Sequence, residues 1–306
     1  SLGLVGSEMC IRDSAYIEEH GFYPNAAAQS LAQSRTNNIA IILPEVNTLV
    51  DMPFFHTCMY GVEEVAQAND YDIIVVTTNG NDTKPLERLI KNRKVDGMIL
   101  TRTYENDKYV KFLKQKQIPF VAVGKFPDDD VVQVDHDNVG ACKELVTVLF
   151  AKGIQNIAYL GSNMDQMVNR CRYQGYEEAY RKGKRKLNQD LVYTDLSSRA
   201  MVEKAVEELK NSGVECILCQ DDYICDEVVR KLARMGVRIP DQMKVASCHY
   251  SRILENYPIT ITSLKFNITE LGRRSCQVLL DMIHGKTVPD KTLLDYEIIL
   301  KESTKG

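Results

Sequence analysis

From residue 38 onward, short apolar runs alternate with longer amphipathic stretches. "IAIILP" reads as a buried strand. "FFHTCMYGVEEVAQAND" then places Phe55, Met59, Val62 and Ala66 on one helical face. "YDIIVVTT" is a strand and "KPLERLIKNRK" a helix. "VDGMILT", "PFVAVG" and "VVQVD" are strands, with "KYVKFLKQKQ" a helix between the first two and "GACKELVTVLFAKG" a helix after the last. At "NIAYLGS" the rhythm restarts. Helices through "YQGYEEAYRKG", "MVEKAVEELKNSG", "DEVVRKLARMG" and "ITELGRRSCQVLLDMIHG" alternate with strands near "LVYT", "CILCQ", "KVASC", "ITSLK" and "YEIIL". Strands joined by amphipathic helices pair in parallel through right-handed crossovers. The pattern predicts an α/β protein of two similar doubly wound lobes, each around an open parallel sheet. A small ligand is expected between them, at the carboxyl ends of the strands.

Composition narrows the function classes. The 306 residues are 44% hydrophobic and 26% charged, with a formal net charge of −4, which is globular and offers no global attraction to polyanions. No apolar run approaches the roughly 18 residues that span a bilayer, so no membrane partner is expected. The nine cysteines are an odd number spread through strands and helices, which suits reduced, mostly buried thiols and a cytoplasmic location. Cys216 and Cys219 have metal-ligand spacing, but no second pair or histidine partner lies near, so no metal and no cofactor is expected. GxSxG, GxGxxG after a strand, and a phosphate-cradling glycine loop are all missing, so no enzyme is expected.

The start of the chain reads differently. "SLGLVGSEMCIRDS" lacks the basic start and long apolar stretch of a signal peptide. Its Met-Cys-Ile-Arg-Asp run is the in-frame translation of ATG TGT ATA AGA GAC in a transposase sequencing adapter, so residues 1–14 are set aside. "YPNAAAQSLAQS" is short and uncharged, and by composition it is either a solvated linker or a small helix.

Read in order, "GFYPNAAAQSLAQSRTNNIAIILPEV", "MPFF", "GVEEVAQANDYDIIVV", "VDGMIL", "IPFVAVG", "VDHDNVGA", "RYQGYEEAY", "ARMGVRIPDQMKVAS" and "ITSLK" resemble the lactose-repressor (LacI/GalR) family of bacterial transcription regulators. The resemblance runs from residue 15 to 306. It implies a periplasmic-binding-protein type I-like fold preceded by a short N-terminal hinge segment. It also implies a homodimer and a small-molecule effector, most simply a carbohydrate. The DNA-binding headpiece is cut short, so binding to operator DNA belongs to the full-length protein. The segment after the headpiece would be the family's hinge helix. Pro24 and Asn25 would start it, Gln29 would lie near the DNA backbone, and Leu31 would wedge between base steps.

By the same resemblance Phe54, Phe55, Asp135, Arg172, Leu196, Asp221, His249 and Phe266 line the effector pocket. Phe54 and Phe55 would form its aromatic wall. Asp135 would accept from ligand hydroxyls, although a capping role competes and Asp137 and Asn138 are better placed to cap the next helix. Arg172 would donate, with Arg170 the alternative. Asp221 fills a polar position and Asp222 is read as a helix cap. Two departures shift the pocket's character. His249 in "SCHYS" replaces a customary aspartate, and Leu196 replaces a customary aromatic. Phe266 stands where a polar residue is usual. The expected division is residues 15–36 as headpiece remnant and hinge, 37–155 with 267–290 as one lobe, and 156–266 with 291–306 as the other. The competing reading is a periplasmic-type sugar-binding protein of the same fold.

Overall fold

The structure is a computed structural model that describes residues 35–44, 53–78, 82–128 and 130–305. The expected hinge residues Pro24, Asn25, Gln29 and Leu31, and the segments 1–14 and 15–34, lie outside them. From Asn38 onward the chain forms one compact unit.

Its first sheet is built from β1 (Asn38–Pro44), β2 (Asp72–Thr78), β3 (Gly97–Leu100), β4 (Phe120–Val123), β5 (Gln133–His136) and β11 (Lys291–Leu294). The order is β11-β5-β4-β3-β1-β2, parallel throughout. The second is built from β6 (Ile157–Leu160), β7 (Val192–Tyr193), β8 (Cys216–Cys219), β9 (Lys244–Ser247), β10 (Thr262–Phe266) and β12 (Tyr296–Ile299), in the order β12-β10-β9-β8-β6-β7. Every residue of β3, β4, β6 and β8 is buried, as parallel strands covered on both faces require.

Helices supply that cover. In the first lobe they are α1 (Pro53–Ala68), α2 (Lys84–Lys91) and α3 (Lys108–Lys116). Around the second sheet lie α4 (Asn138–Ala151), α5 (Met167–Lys182), α6 (Arg199–Leu209) and α7 (Asp222–Arg234). The last helix, α8 (Ile268–Ile283), returns to pack on α1, β3, β4 and β5. Glycine lets α1 and α8 approach closely. A Cβ on Gly61 would sit 2.0 Å from the Thr269 carbonyl oxygen, and one on Gly272 2.1 Å from that of Cys58.

The chain crosses between the lobes after β5, after β10, and between β11 and β12, which corrects the expected boundaries. The first crossing comes at Asp137, not at 155, because α4 packs on α5, β10 and β12 of the second lobe. Residues 291–294 belong to the first sheet, where β11 pairs with β5, so the last crossing falls at Asp295. The second sheet is also not wholly parallel, since β12 runs antiparallel to β10. An apolar stripe says that a helix packs on a sheet; it does not say on which.

Candidate functional site

A cavity of about 360 Å³ opens between the sheets, lined by residues at the carboxyl ends of strands from both. Doubly wound sheets bind ligands there because crossover helices leave that end uncovered. The structure brings all eight expected residues, Phe54, Phe55, Asp135, Arg172, Leu196, Asp221, His249 and Phe266, to this one cavity.

The aromatic side starts at α1. Phe55 is 3% exposed and anchored in the core, Phe54 meets it edge-on at 5.2 Å, and the Arg102 guanidinium lies 5.0 Å above the Phe55 ring. The wall continues through His249, 6.3 Å from Phe54, to Phe266, which stacks on His249 at 6.2 Å and 18°. His136 then follows, 4.9 Å from Phe266.

The polar side is organised around Arg172 on α5. Its Nε donates to Asn138 Oδ1 at 3.3 Å and its Nη1 to the Gln220 carbonyl at 3.0 Å. Two bonds use part of the guanidinium and leave the rest for the cavity that it lines. Arg170, the expected alternative, is engaged elsewhere: it donates to both carboxylate oxygens of Glu105 at 2.7 Å and to the Met164 carbonyl.

The acids have distinct tasks. Asp135 accepts from the N–H groups of Lys125 and His136 and from Asn138 Nδ2, so it shapes the crossing as well as lining the cavity. Burial pushes its carboxyl up to about 6, against those hydrogen bonds and the charge of Arg172. The cap of α4 is Asp137, which accepts from Gly140 N–H. The assignment of the neighbouring pair at α7 is reversed from expectation. Asp221 caps the helix by accepting from Ile224 N–H at 2.9 Å, and Asp222 turns to His249 Nδ1 at 3.2 Å. A cap must sit just before the first helical turn, and α7 begins at Asp222. Burial raises Asp221, helped by the charge of Asp222. Burial also acts on Asp222, but the hydrogen bond and charge of His249 outweigh it and hold that carboxyl below its ordinary value. His136 is pushed down to about 4 by burial, then by His249 and Arg172.

Leu196 is buried in the second lobe's core, with one side on the cavity. Sequence reading missed Tyr223: half-exposed in the first turn of α7, it also lines the cavity. Asn138, His136, Asp222 and Arg102 were missed as well. All four lie at or within three residues of a strand's carboxyl end, so the strand-end rule applied to every strand would have found them.

Among the described residues there is no group of three or more histidines, cysteines or acids placed to hold a metal, and no helix is long and apolar enough to cross a membrane. The eight described cysteines are free and buried.

Two sheets of this order with a cavity at their facing strand ends define a bilobed ligand-binding protein. Residues 36–302 match the family described as periplasmic binding proteins and sugar binding domain of LacI family, and the chain belongs to it. The HTH-type transcriptional regulator MalR of Streptococcus pneumoniae is 27% identical over 299 residues, 93% of this chain and 88% of that protein. The HTH-type transcriptional regulator CelR of Thermobifida fusca is 26% identical over 295 residues, 94% and 87% respectively. Solved structures share the fold. A transcriptional regulator CelR–cellobiose complex superposes with a TM-score of 0.81 at 24% identity, covering 95% of this chain and 89% of that one. A LacI family transcriptional regulator from Enterococcus faecium with bound ribose gives 0.75 at 21% identity, covering 87% and 98%.

Proposed function

We propose that this chain is the effector-binding and dimerisation core of a DNA-binding transcriptional regulator. A small hydroxylated metabolite, a sugar or a near relative of one, binds between the lobes and changes affinity for operator DNA. The protein acts in the cytoplasm as a homodimer and catalyses no reaction. The observation that carries the reading is Arg172: a buried guanidinium lining the interlobe cavity, half spent on the protein, opposite an aromatic wall. Aromatic faces suit the C–H faces of sugars, and paired donors and acceptors suit their hydroxyls. The regulator relatives span this chain and the match covers 88% of MalR, which favours a regulator over a periplasmic-type binding protein.

Ligand would fix the relative orientation of the lobes. The hinge segment around Pro24, Asn25, Gln29 and Leu31 would carry that change to DNA, with a reciprocal coupling of about 1–3 kcal/mol. The test is thermal unfolding against a panel of sugars, sugar phosphates and nucleobases. A ligand at 100 times its dissociation constant should add about 2.7 kcal/mol. The stabilisation should vanish in Arg172→Ala. A shift that survives this substitution would place the ligand elsewhere.

A further inference from the structure

His249 differs from the other polar groups of the cleft in how completely the protein fixes it. It is 7% exposed, its ring lies between Phe54 and Phe266, and its backbone carbonyl accepts from Ser247 Oγ at 2.7 Å. One ring nitrogen, Nδ1, faces Asp222 Oδ1 at 3.2 Å. The other, Nε2, is buried with no hydrogen-bond partner in the protein, in a residue that lines the cavity. A buried polar atom without a partner is costly, a cost that a donor from a bound ligand would remove.

The chemistry of that ligand atom follows from Asp222. An ionised carboxylate only accepts hydrogen bonds, so the proton of the neutral imidazole sits on Nδ1 and Nε2 carries a lone pair. A hydroxyl or N–H can donate to that lone pair, whereas a carboxylate or phosphate oxygen would meet it lone pair to lone pair.

We infer that His249 sets the specificity of the cleft: its Nε2 accepts from an uncharged donor of the effector and selects neutral ligands over their anionic counterparts. The inference rests on the effector-cleft reading above. The charged and titratable groups around His249 are Asp222 and Asp221 at the start of α7, His136 at the end of β5, and Arg172 on α5. Asp222 fixes the tautomer. The positive charge of Arg172 acts in common on Asp221 and His136 and does not touch Nε2 directly. The Nε2 of His136, on the other side of Phe266, is also buried and unpartnered, and burial holds this imidazole's pKa down to about 4.

The experiment uses pairs that keep the pyranose ring and differ only in a C6 hydroxymethyl or carboxylate: glucose and glucuronate, galactose and galacturonate, mannose and mannuronate. Their dissociation constants are measured by calorimetry at pH 7.5, where the probe carboxylates are ionised. The wild-type chain should prefer a neutral member over its acid by about tenfold or more, the cost of leaving one buried acceptor unmatched. His249→Leu removes the acceptor and should abolish the preference. Asp222→Asn frees the tautomer and should weaken it, an independent check should His249→Leu fold poorly. Tighter binding of the acid by the wild-type chain, or a preference that persists undiminished in either variant, overturns the role of His249. If none of the six probes binds, and Arg172→Ala behaves as wild type, the effector-cleft reading fails and this inference goes with it.

Discussion

Arg170 and Glu105 form a bidentate ion pair, 2.7 Å at both contacts, that ties α5 of the second lobe to the loop after β3 of the first. Around it, Glu105 N–H donates to the Asp165 carbonyl at 3.1 Å, Met167 N–H donates to the Thr103 carbonyl at 3.1 Å, and Tyr104 bridges Gln166. None of these contacts belongs to a chain crossing. They make a fourth attachment between the lobes, beside the cavity that Thr103, Gln166 and Asn169 line.

That attachment pre-orders the cleft, so breaking it should cost affinity more than stability. The side chains of Arg170 and Glu105 are 39% and 44% exposed, and a pair so open to solvent contributes at most about 1 kcal/mol to folding. Glu105→Ala should lower the urea midpoint only slightly. It should enlarge the unliganded radius of gyration in small-angle scattering and weaken effector binding several-fold, because a closed state that is less populated lowers apparent affinity. An unchanged radius together with unchanged affinity would deny the pair this role.

The helix–strand alternation was legible because each parallel strand is covered on both faces and each helix on one; β1 and α1 read directly from "IAIILP" and from Phe55, Val62 and Ala66. The lobe boundaries were less so. Nothing in "GACKELVTVLFAKG" says that α4 packs on α5, and β11, four residues with alternating exposure at a sheet edge, has almost no apolar signal. The cleft residues were accessible through family resemblance, but their roles were not. Asp221 and Asp222 are adjacent acids, and only the start of α7 decides which caps and which holds His249.

The close approach of α1 and α8 sets two effects of opposite sign against each other at Gly61. Alanine is preferred over glycine inside a helix by about 1 kcal/mol. The added Cβ, however, would lie 2.0 Å from the Thr269 carbonyl oxygen, a backbone atom that cannot swing aside. Overpacking of this kind costs about 1–3 kcal/mol, so Gly61→Ala should destabilise the chain despite its helix propensity. Urea unfolding checks the sign, and a stabilised variant would mean that the two helices can separate freely.

Arg172 should not tolerate lysine. Its planar fork reaches Asn138 Oδ1 and the Gln220 carbonyl at once, and an ammonium is a single point donor. Arg172→Lys keeps the charge beside Asp135 and Asp221 but loses at least one of these buried bonds, which costs about 1–3 kcal/mol of stability. Effector affinity should fall by tenfold or more, because the donors presented to the cavity are displaced. Calorimetric titration alongside urea unfolding separates the two effects; full affinity in the lysine variant would reduce Arg172 to a charge.

Asp135 and His136 are neighbours whose titrations oppose each other. Asp135 has its carboxyl raised to about 6 in the fold, so it stabilises below its unfolded value near 3.9, and that contribution is lost as pH rises through 6. His136 is depressed to about 4, so its contribution is present above its unfolded value near 6.5 and is lost as pH falls through 4. Over pH 4 to 6.5 the two slopes have opposite signs and largely cancel. Removing one exposes the other. In His136→Asn the rising branch is gone, so stability relative to wild type should worsen steadily as pH goes from about 4 to 6.5. In Asp135→Asn the falling branch is gone, and stability relative to wild type should improve over the same window. Urea midpoints at half-unit pH steps measure both, and parallel pH profiles for the two variants would show that this pair does not control acid stability.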